Sequence, residues 1–378
     1  MKKKAYEAVE WLHVMVRESL EKAKQGTMKP GWILNLEMTS LALKKIRSFE
    51  DENQPKKVGV FGAPKRGKST LLNAILSADL LPMHTVMSTK TAIEVSSQAN
   101  MQDWEVVIKH ENKFVEKTSV KKISEAREII RKHGSHQSMA PPAVLIQVRG
   151  NFPDNKIFQG GGVLVDTPGA EPAFDLKKAT ETPTSCETVI KEDTAIALDM
   201  LKKVHVVTFC ISAEYKGDES EILFYNEHLK VFKPFNIINF KDQEKDEKTG
   251  RMLEDEEIVK KTLKICDFPW DRTLCVSALW AYDGRVKNKN EKKVEESGIK
   301  QIEERIIQEM NELTPEFGLL SCLTDYKRTL ENALKENIDL RPKKFAVANF
   351  EKSLRAIPIA WSNKIIGFLL CEKDFWHL

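Results

Sequence analysis

Gly62-Ala63-Pro64-Lys65-Arg66-Gly67-Lys68-Ser69 fits the phosphate-loop pattern G-x-x-x-x-G-K-[ST]. Its flanks decide the fold. Residues 57–61 (KVGVF) form an apolar run of strand length, and 69–76 (STLLNAIL) open an apolar helix directly after the loop. In such a strand–loop–helix unit the backbone N–H groups of the loop wrap phosphates, aided by the positive end of the helix dipole. Lys68 then reaches the outer phosphates as a point charge, and the Ser69 hydroxyl takes a magnesium coordination position. Gly62, Ala63, Pro64, Lys65, Arg66, Gly67 and Thr70 complete the cradle. A nucleoside triphosphate held with Mg2+ is the expected ligand.

The 378-residue chain as a whole narrows the class. Lys and Arg number 59 against 56 Asp and Glu, a formal charge of +3, too balanced to predict a nucleic-acid partner from bulk electrostatics. A charged fraction of 30% beside a hydrophobic fraction of 41% is that of a soluble folded protein. The 6 cysteines make no C-x-x-C pair, so neither a zinc site nor a disulfide framework is expected, and a reducing cytoplasm is the simple reading. The basic start Met1-Lys2-Lys3-Lys4 is followed by Glu7, Glu10, Arg17 and Glu18 rather than by the apolar core of a signal peptide. No run approaches the roughly 18 apolar residues that cross a bilayer.

Residues 57–282 alternate strand-like and helix-like segments, the pattern of an α/β domain with a mostly parallel sheet and helices on both faces. Strands are expected at 91–97, 104–110, 143–148, 162–166, 205–211, 235–239 and 273–277, and helices at 123–133, 187–202, 218–231 and 255–265. Before this region, Val9, Leu12, Val16 and Leu20 recur at helical spacing, and 32–49 is helical with two apolar faces. Beyond it, a charged connection at 285–296 leads to helices at 299–313 and 317–338. Each exposes a stripe that needs a partner, so the two ends are expected to meet as a bundle. The boundaries read 1–52 for N-terminal helices, 53–285 for the α/β domain and 286–378 for a C-terminal helical region.

Val163-Leu164-Val165-Asp166-Thr167-Pro168-Gly169 is an apolar strand ending in D-x-x-G, about 100 residues after the phosphate loop. Asp166 can hold magnesium through water, and the Gly169 N–H can approach a γ-phosphate closely. Residues 235–242 (FNIINFKD) end in a variant of the guanine-reading N-K-x-D element that keeps Asn239 and Asp242 but has Phe240 next to the asparagine, with Lys241 one place later. The Asp242 carboxylate can accept from both the ring N–H and the exocyclic amine of guanine, a pair that adenine does not offer. Cys275-Val276-Ser277-Ala278-Leu279 follows in the place where GTPases use a V-S-A segment to touch the base, so Ser277 and Ala278 are expected to border it. Between loop and D-x-x-G, Thr89 is preferred over Thr85 and Thr91 as the threonine that binds magnesium through its hydroxyl and senses the γ-phosphate. The metal set is therefore Ser69, Thr89 and Asp166.

Together, GAPKRGKSTLLNAIL, the spacing from Pro82 to Thr89, VLVDTPG, NFKD and CVSAL resemble the GTPase domain of the dynamin superfamily, most closely the bacterial dynamin-like proteins. The resemblance implies hydrolysis of GTP to GDP and phosphate with Mg2+, dimerisation across the GTPase face, and, in many members, membrane remodelling by a protein peripheral to the inner face of a membrane. No nucleic-acid partner is expected. Dynamins proper carry glutamine and serine at the positions of Pro64 and Lys65, whereas guanylate-binding proteins hold an arginine finger at the position of Lys65. Lys65, or Arg66 beside it, is thus expected to supply the charge that neutralises the transition state, worth roughly 10³ to 10⁵ in rate where arginine performs it. Lysine lacks the forked geometry, so turnover should be slower. Ala170 stands where small GTPases orient water with glutamine, which makes intrinsic hydrolysis slow and assembly-dependent. Two alternatives share the motifs: a slow GTP-binding switch module without significant turnover, and a ribosome- or tRNA-associated GTPase. The aromatic and basic tail 345–378 reads either as an interfacial membrane segment or as a core helix.

Overall fold

The computed structural model describes residues 2–25, 30–48, 54–83, 91–134, 143–169, 185–213, 219–246, 249–264, 266, 268–313, 315–336, 338–342 and 344–355. Contacts divide the chain into two compact units, Pro55–Met310 and a second built from Met1–Gln54 with Asn311–Leu378.

The first unit holds a mixed sheet of 9 strands: β1 (Lys56–Phe61), β2 (Ala92–Ser97), β3 (Trp104–His110), β4 (Val115–Val120), β5 (Ala143–Gly150), β6 (Gly162–Asp166), β7 (Val206–Ser212), β8 (Phe235–Asn239) and β9 (Thr273–Cys275). Their order is β4-β3-β5-β2-β6-β1-β7-β8-β9. From β6 to β9 every pairing is parallel. At the other end β2 runs antiparallel to β6, and β3 runs antiparallel to both β4 and β5. Strands β6, β7 and β8 are buried at every position, as apolar runs with no alternation require. The carboxyl ends of β1, β6 and β8 therefore deliver the phosphate loop, Asp166 and Asn239 to one rim of the sheet.

Three features differ from the sequence reading. The segment 218–231 is not one helix but an α-helix, Glu219–Phe224, a π-helical turn, Tyr225–Leu229, and a short 3-10 turn. The charged connection is a π-helical turn, Asp283–Lys287, followed by helix Glu291–Ser297, capped by the Asn290 side chain on the Lys293 N–H. The boundary at 285 moves to Met310, because helix Ile299–Glu312 belongs with the sheet. Its stripe of Ile299, Ile302, Ile306 and Met310 is buried, Met310 lies against Gly160 and Gly162 at the start of β6, and Glu303 pairs with Arg285.

The second unit is a helical bundle made from both ends of the chain. Helices Lys2–Gln25, Pro30–Ser48, Pro315–Lys335 and Lys344–Arg355 share one core that includes Leu12, Met15, Val16, Leu36, Leu43, Leu323, Tyr326, Leu330 and Phe350. The Tyr326 hydroxyl lies 2.6 Å from Ser19 Oγ and donates to the Met15 carbonyl at 3.0 Å. Phe350, a candidate membrane aromatic from the sequence, is 1% exposed within this core. Residues 356–378 lie outside the described residues. Among the described residues no helix is long and apolar enough to cross a membrane.

Candidate functional site: a phosphate-loop motif, a D-x-x-G turn and the residues after β8

The loop between β1 and helix Lys68–Leu76 takes three positive-φ steps, at Gly62, Lys65 and Gly67. Gly62 has φ 147°, and a Cβ there would sit 2.2 Å from the Cys210 carbonyl oxygen, so the loop leaves β1 only because this residue lacks a side chain. Lys65, at φ 62°, is exposed. Arg66 is the opposite: its side chain is 11% exposed, and Nε donates to Glu221 Oε1 at 2.6 Å. Of the two candidate finger residues, only Lys65 turns its charge outward.

Lys68 is buried, with Nζ donating to the carbonyls of Gly62 at 2.9 Å and Ala63 at 3.0 Å. Burial pulls its pKa below the ordinary lysine value, against the pull of Asp166. The Asp166 carboxyl is pushed up, first by burial, with Lys68 and Ser69 holding it back. Burial thus works against the charged form of both groups, the ammonium held by two loop carbonyls and the carboxyl by the Ser69 hydroxyl.

Ser69 Oγ donates to Asp166 Oδ2 at 2.7 Å, while Asp166 Oδ1 is buried with no hydrogen-bond partner among the described residues. This hydroxyl and carboxylate are hard oxygen donors that suit Mg2+, an ion that keeps waters and substrate phosphates as its other ligands. No group of three or more His, Cys, Asp or Glu that could hold a metal occurs among the described residues, so such an ion depends on phosphate oxygens. The D-x-x-G turn is fixed to the sheet by Thr167 Oγ1, which donates to the Val60 carbonyl at 2.7 Å. Gly169 meets the loop directly: a Cβ there would lie 2.5 Å from Pro64 Cγ.

On the base side, Asn239 is buried and fully engaged. Its Nδ2 donates to the Arg66 carbonyl at 2.9 Å and its Oδ1 accepts the Ala278 N–H at 3.0 Å, tying loop, β8 and the segment after β9 together. Ser277 caps helix Ala278–Tyr282 by accepting the Trp280 N–H. Lys241 Nζ pairs with Asp255 at 3.0 Å. Asp242 is left with a buried Oδ1 that has no partner among the described residues, the arrangement that a guanine edge would satisfy. Thr70 sits half-buried on the first turn of the helix. Thr89 and Ala170 lie outside the described residues, and Thr91, the alternative to Thr89, is buried with its hydroxyl on the Ala143 carbonyl.

Four residues were not singled out from sequence. Asn73 fixes the start of the loop toward Thr89, accepting from the Leu80 and Leu81 N–H groups at 3.1 and 2.8 Å and donating to the Leu81 carbonyl. Cys210 lies under the phosphate loop, its thiol on the Arg66 carbonyl at 3.3 Å and its pKa pushed up to about 12 by burial. Phe240, at φ 66°, places its ring edge 3.5 Å from where a Gly67 Cβ would stand. Glu221 is the partner of Arg66. Only Phe240 carried a signal, as the break in N-K-x-D.

Residues 58–242 match the sequence model of the Dynamin family. Residues 58–242 form a dynamin-type G domain. This G domain spans the phosphate loop, the D-x-x-G turn and the N-x-x-D element, and the superfamily consists of GTP-hydrolysing phosphate-loop proteins. No curated protein sequence matches the chain. Similar solved structures include two of an oligomerised bacterial dynamin pair, described as a mechanism for long-range sensing and tethering of membranes. One is 16% identical with a TM-score of 0.49, covering 79% of this chain and 46% of its own; the other is 15% identical with a TM-score of 0.47, covering 89% and 56%. Era from Aquifex aeolicus, a Y63A variant bound to GDP and aluminium fluoride, is 13% identical with a TM-score of 0.34 over 67% of this chain and 56% of its own. The chain thus spans about half the length of the bacterial dynamin chains it matches.

Proposed function

We propose that this chain binds GTP with Mg2+ and hydrolyses it to GDP and phosphate, and that two copies associate through the GTPase face when they do so. The observation that carries the reading is the pairing of two orphaned carboxylate oxygens across one rim: Asp166 Oδ1 on the phosphate side and Asp242 Oδ1 on the base side. In this reading the loop amides and Lys68 hold the β- and γ-phosphates, Ser69 and Asp166 hold Mg2+, and Asp242 selects guanine. Bound there, Mg2+ supplies charge neutralisation on the phosphate oxygens. Thr89 is proposed as a further magnesium ligand and Gly169 as the γ-phosphate contact. Asn239, Ser277 and Ala278 support the base pocket by fixing its backbone, and Lys241 borders it.

Lys65 is the proposed charge-compensating group. Its outward ammonium on a left-handed loop position supports a role completed by a second copy rather than within a lone chain. Turnover is then low in dilute solution and rises with protein concentration. The deciding measurement is a sizing column run with GDP and aluminium fluoride, alongside phosphate release at several protein concentrations. Conversion of monomer to dimer, with release that rises with concentration, is expected. Nucleotide binding without assembly or turnover replaces the hydrolytic reading by a GTP-binding switch. Membrane association is tested by co-sedimentation with anionic vesicles, where recovery only in the supernatant removes it.

A further inference from the structure

The phosphate loop contains a buried ion pair that no motif requires. Arg66 is held at both its backbone and its side chain: the carbonyl accepts from Asn239 Nδ2 at 2.9 Å and from the Cys210 thiol at 3.3 Å, and Nε donates to Glu221 at 2.6 Å. The Glu221 side chain is only 1% exposed. It stands on helix Glu219–Phe224, one turn ahead of the π-helical turn Tyr225–Leu229 and far from the loop in sequence. On either side of Arg66 the backbone adopts left-handed conformations, Lys65 at φ 62° and Gly67 at φ 77°. A left-handed lysine is held there only when its surroundings over-determine it.

We infer that Glu221 is a positioning residue for the phosphate loop, acting through Arg66 to fix the turn that points Lys65 outward and to keep the Arg66 guanidinium off the bound triphosphate. Without its carboxylate, the guanidinium is released toward the triphosphate held by the same loop. Contact of that kind holds GTP equally in ground and transition states, which tightens binding without raising turnover. Loss of Glu221 should therefore separate affinity from kcat. A residue that merely supports the fold would lower both with the melting temperature.

This inference rests on the reading of residues 62–69 as a phosphate cradle, so its test begins without nucleotide. Amide hydrogen exchange over residues 62–67 is measured in the full chain for wild type, E221Q, R66A and R66A/E221A. Exchange in the loop is expected to rise roughly tenfold in E221Q and in R66A, with peptides from β8 unaltered, and to be no faster in R66A/E221A than in R66A. Loop exchange at the wild-type rate in both single variants overturns the inference, as does faster exchange in the double variant, which would place the action of Glu221 elsewhere. Should E221Q fail to fold, the comparison of R66A with R66A/E221A decides alone, because the double variant leaves no uncompensated buried charge. Where GTP is turned over, kcat of E221Q is expected to fall roughly tenfold while affinity for a slowly hydrolysed GTP analogue is unchanged or higher. A chain with the exchange signature but no turnover removes the hydrolytic reading and keeps the clamp.

Discussion

Asp242 and Asp166 each leave one carboxylate oxygen buried without a partner among the described residues, and the proposed nucleotide would meet one with its base and the other with its magnesium. An unsatisfied buried acceptor costs about 1–3 kcal/mol, which a bound ligand supplying donors or a cation would recover. For Asp242 the proposed partner is guanine, whose ring N–H and exocyclic amine form a donor pair. In D242N the new amide sets its NH2 against that amine, donor against donor. GTP affinity is expected to fall roughly 100-fold or more, while XTP, with a carbonyl at the same position, binds better than it does to wild type. Titration of fluorescent nucleotides checks this, and a wild type that binds GTP and XTP alike removes Asp242 from base selection.

At the scale of the element, the loop from Gly62 to Lys68 is a turn whose shape is dictated by where side chains cannot go. In G62A the new Cβ meets the Cys210 carbonyl at a φ that L-residues rarely adopt, a strain of order 1–3 kcal/mol before any clash is relieved. A lower melting temperature and loss of nucleotide binding are expected together; a variant that melts and binds as wild type would show that the loop can re-route. The same element shows what the sequence could reveal. G-x-x-x-x-G-K-S and D-x-x-G sit in contiguous residues at strand ends, so the meeting of Ser69 with Asp166 was legible, as were β3, β6 and β8 to their end residues. Strand β4 was not: V-E-K-T-S-V lies exposed at the sheet edge, with no buried face to impose alternation. The π-helical turn at 225–229 was hidden because apolar spacing over one turn does not distinguish it from an α-helix. Glu221 and Asn73 act through partners that only the fold brings near, and the Lys241–Asp255 pair diverted a base-side candidate in the same way.

The molecule as a whole places its helical unit at the two ends of the chain and its G domain between them. His13 in that bundle is 7% exposed, with Nε2 2.9 Å from Ser40 Oγ. Burial holds its pKa below the ordinary 6.5, with Glu10 pulling the other way and Lys44, Arg17 and Arg47 adding to the depression. As pH falls the unfolded chain binds this proton first, so the contribution of neutral His13 is complete above 6.5 and is lost as pH drops through the folded-state value. Urea unfolding of the bundle, followed by hydrogen exchange in helix Lys2–Gln25, should show a lower midpoint at about pH 5.5 than at about pH 7.5. H13Q, which keeps a polar contact to Ser40 but cannot titrate, should flatten that difference; an equal slope in both proteins assigns it to other groups.

The split construction of the bundle also sets an order of events on the ribosome. Helices Lys2–Gln25 and Pro30–Ser48 emerge early, but the helix that completes their core begins at Pro315. At about 5–20 residues per second, some 270 residues of synthesis separate the two, an interval of roughly ten seconds to a minute. The G domain finishes within that interval, while Leu12, Val16, Leu36 and Leu43 wait for Leu323, Tyr326 and Phe350. The nascent chain therefore presents a sticky helical pair to its surroundings throughout the synthesis of its own G domain, a hazard whose length is set by translation and which a chaperone would cover.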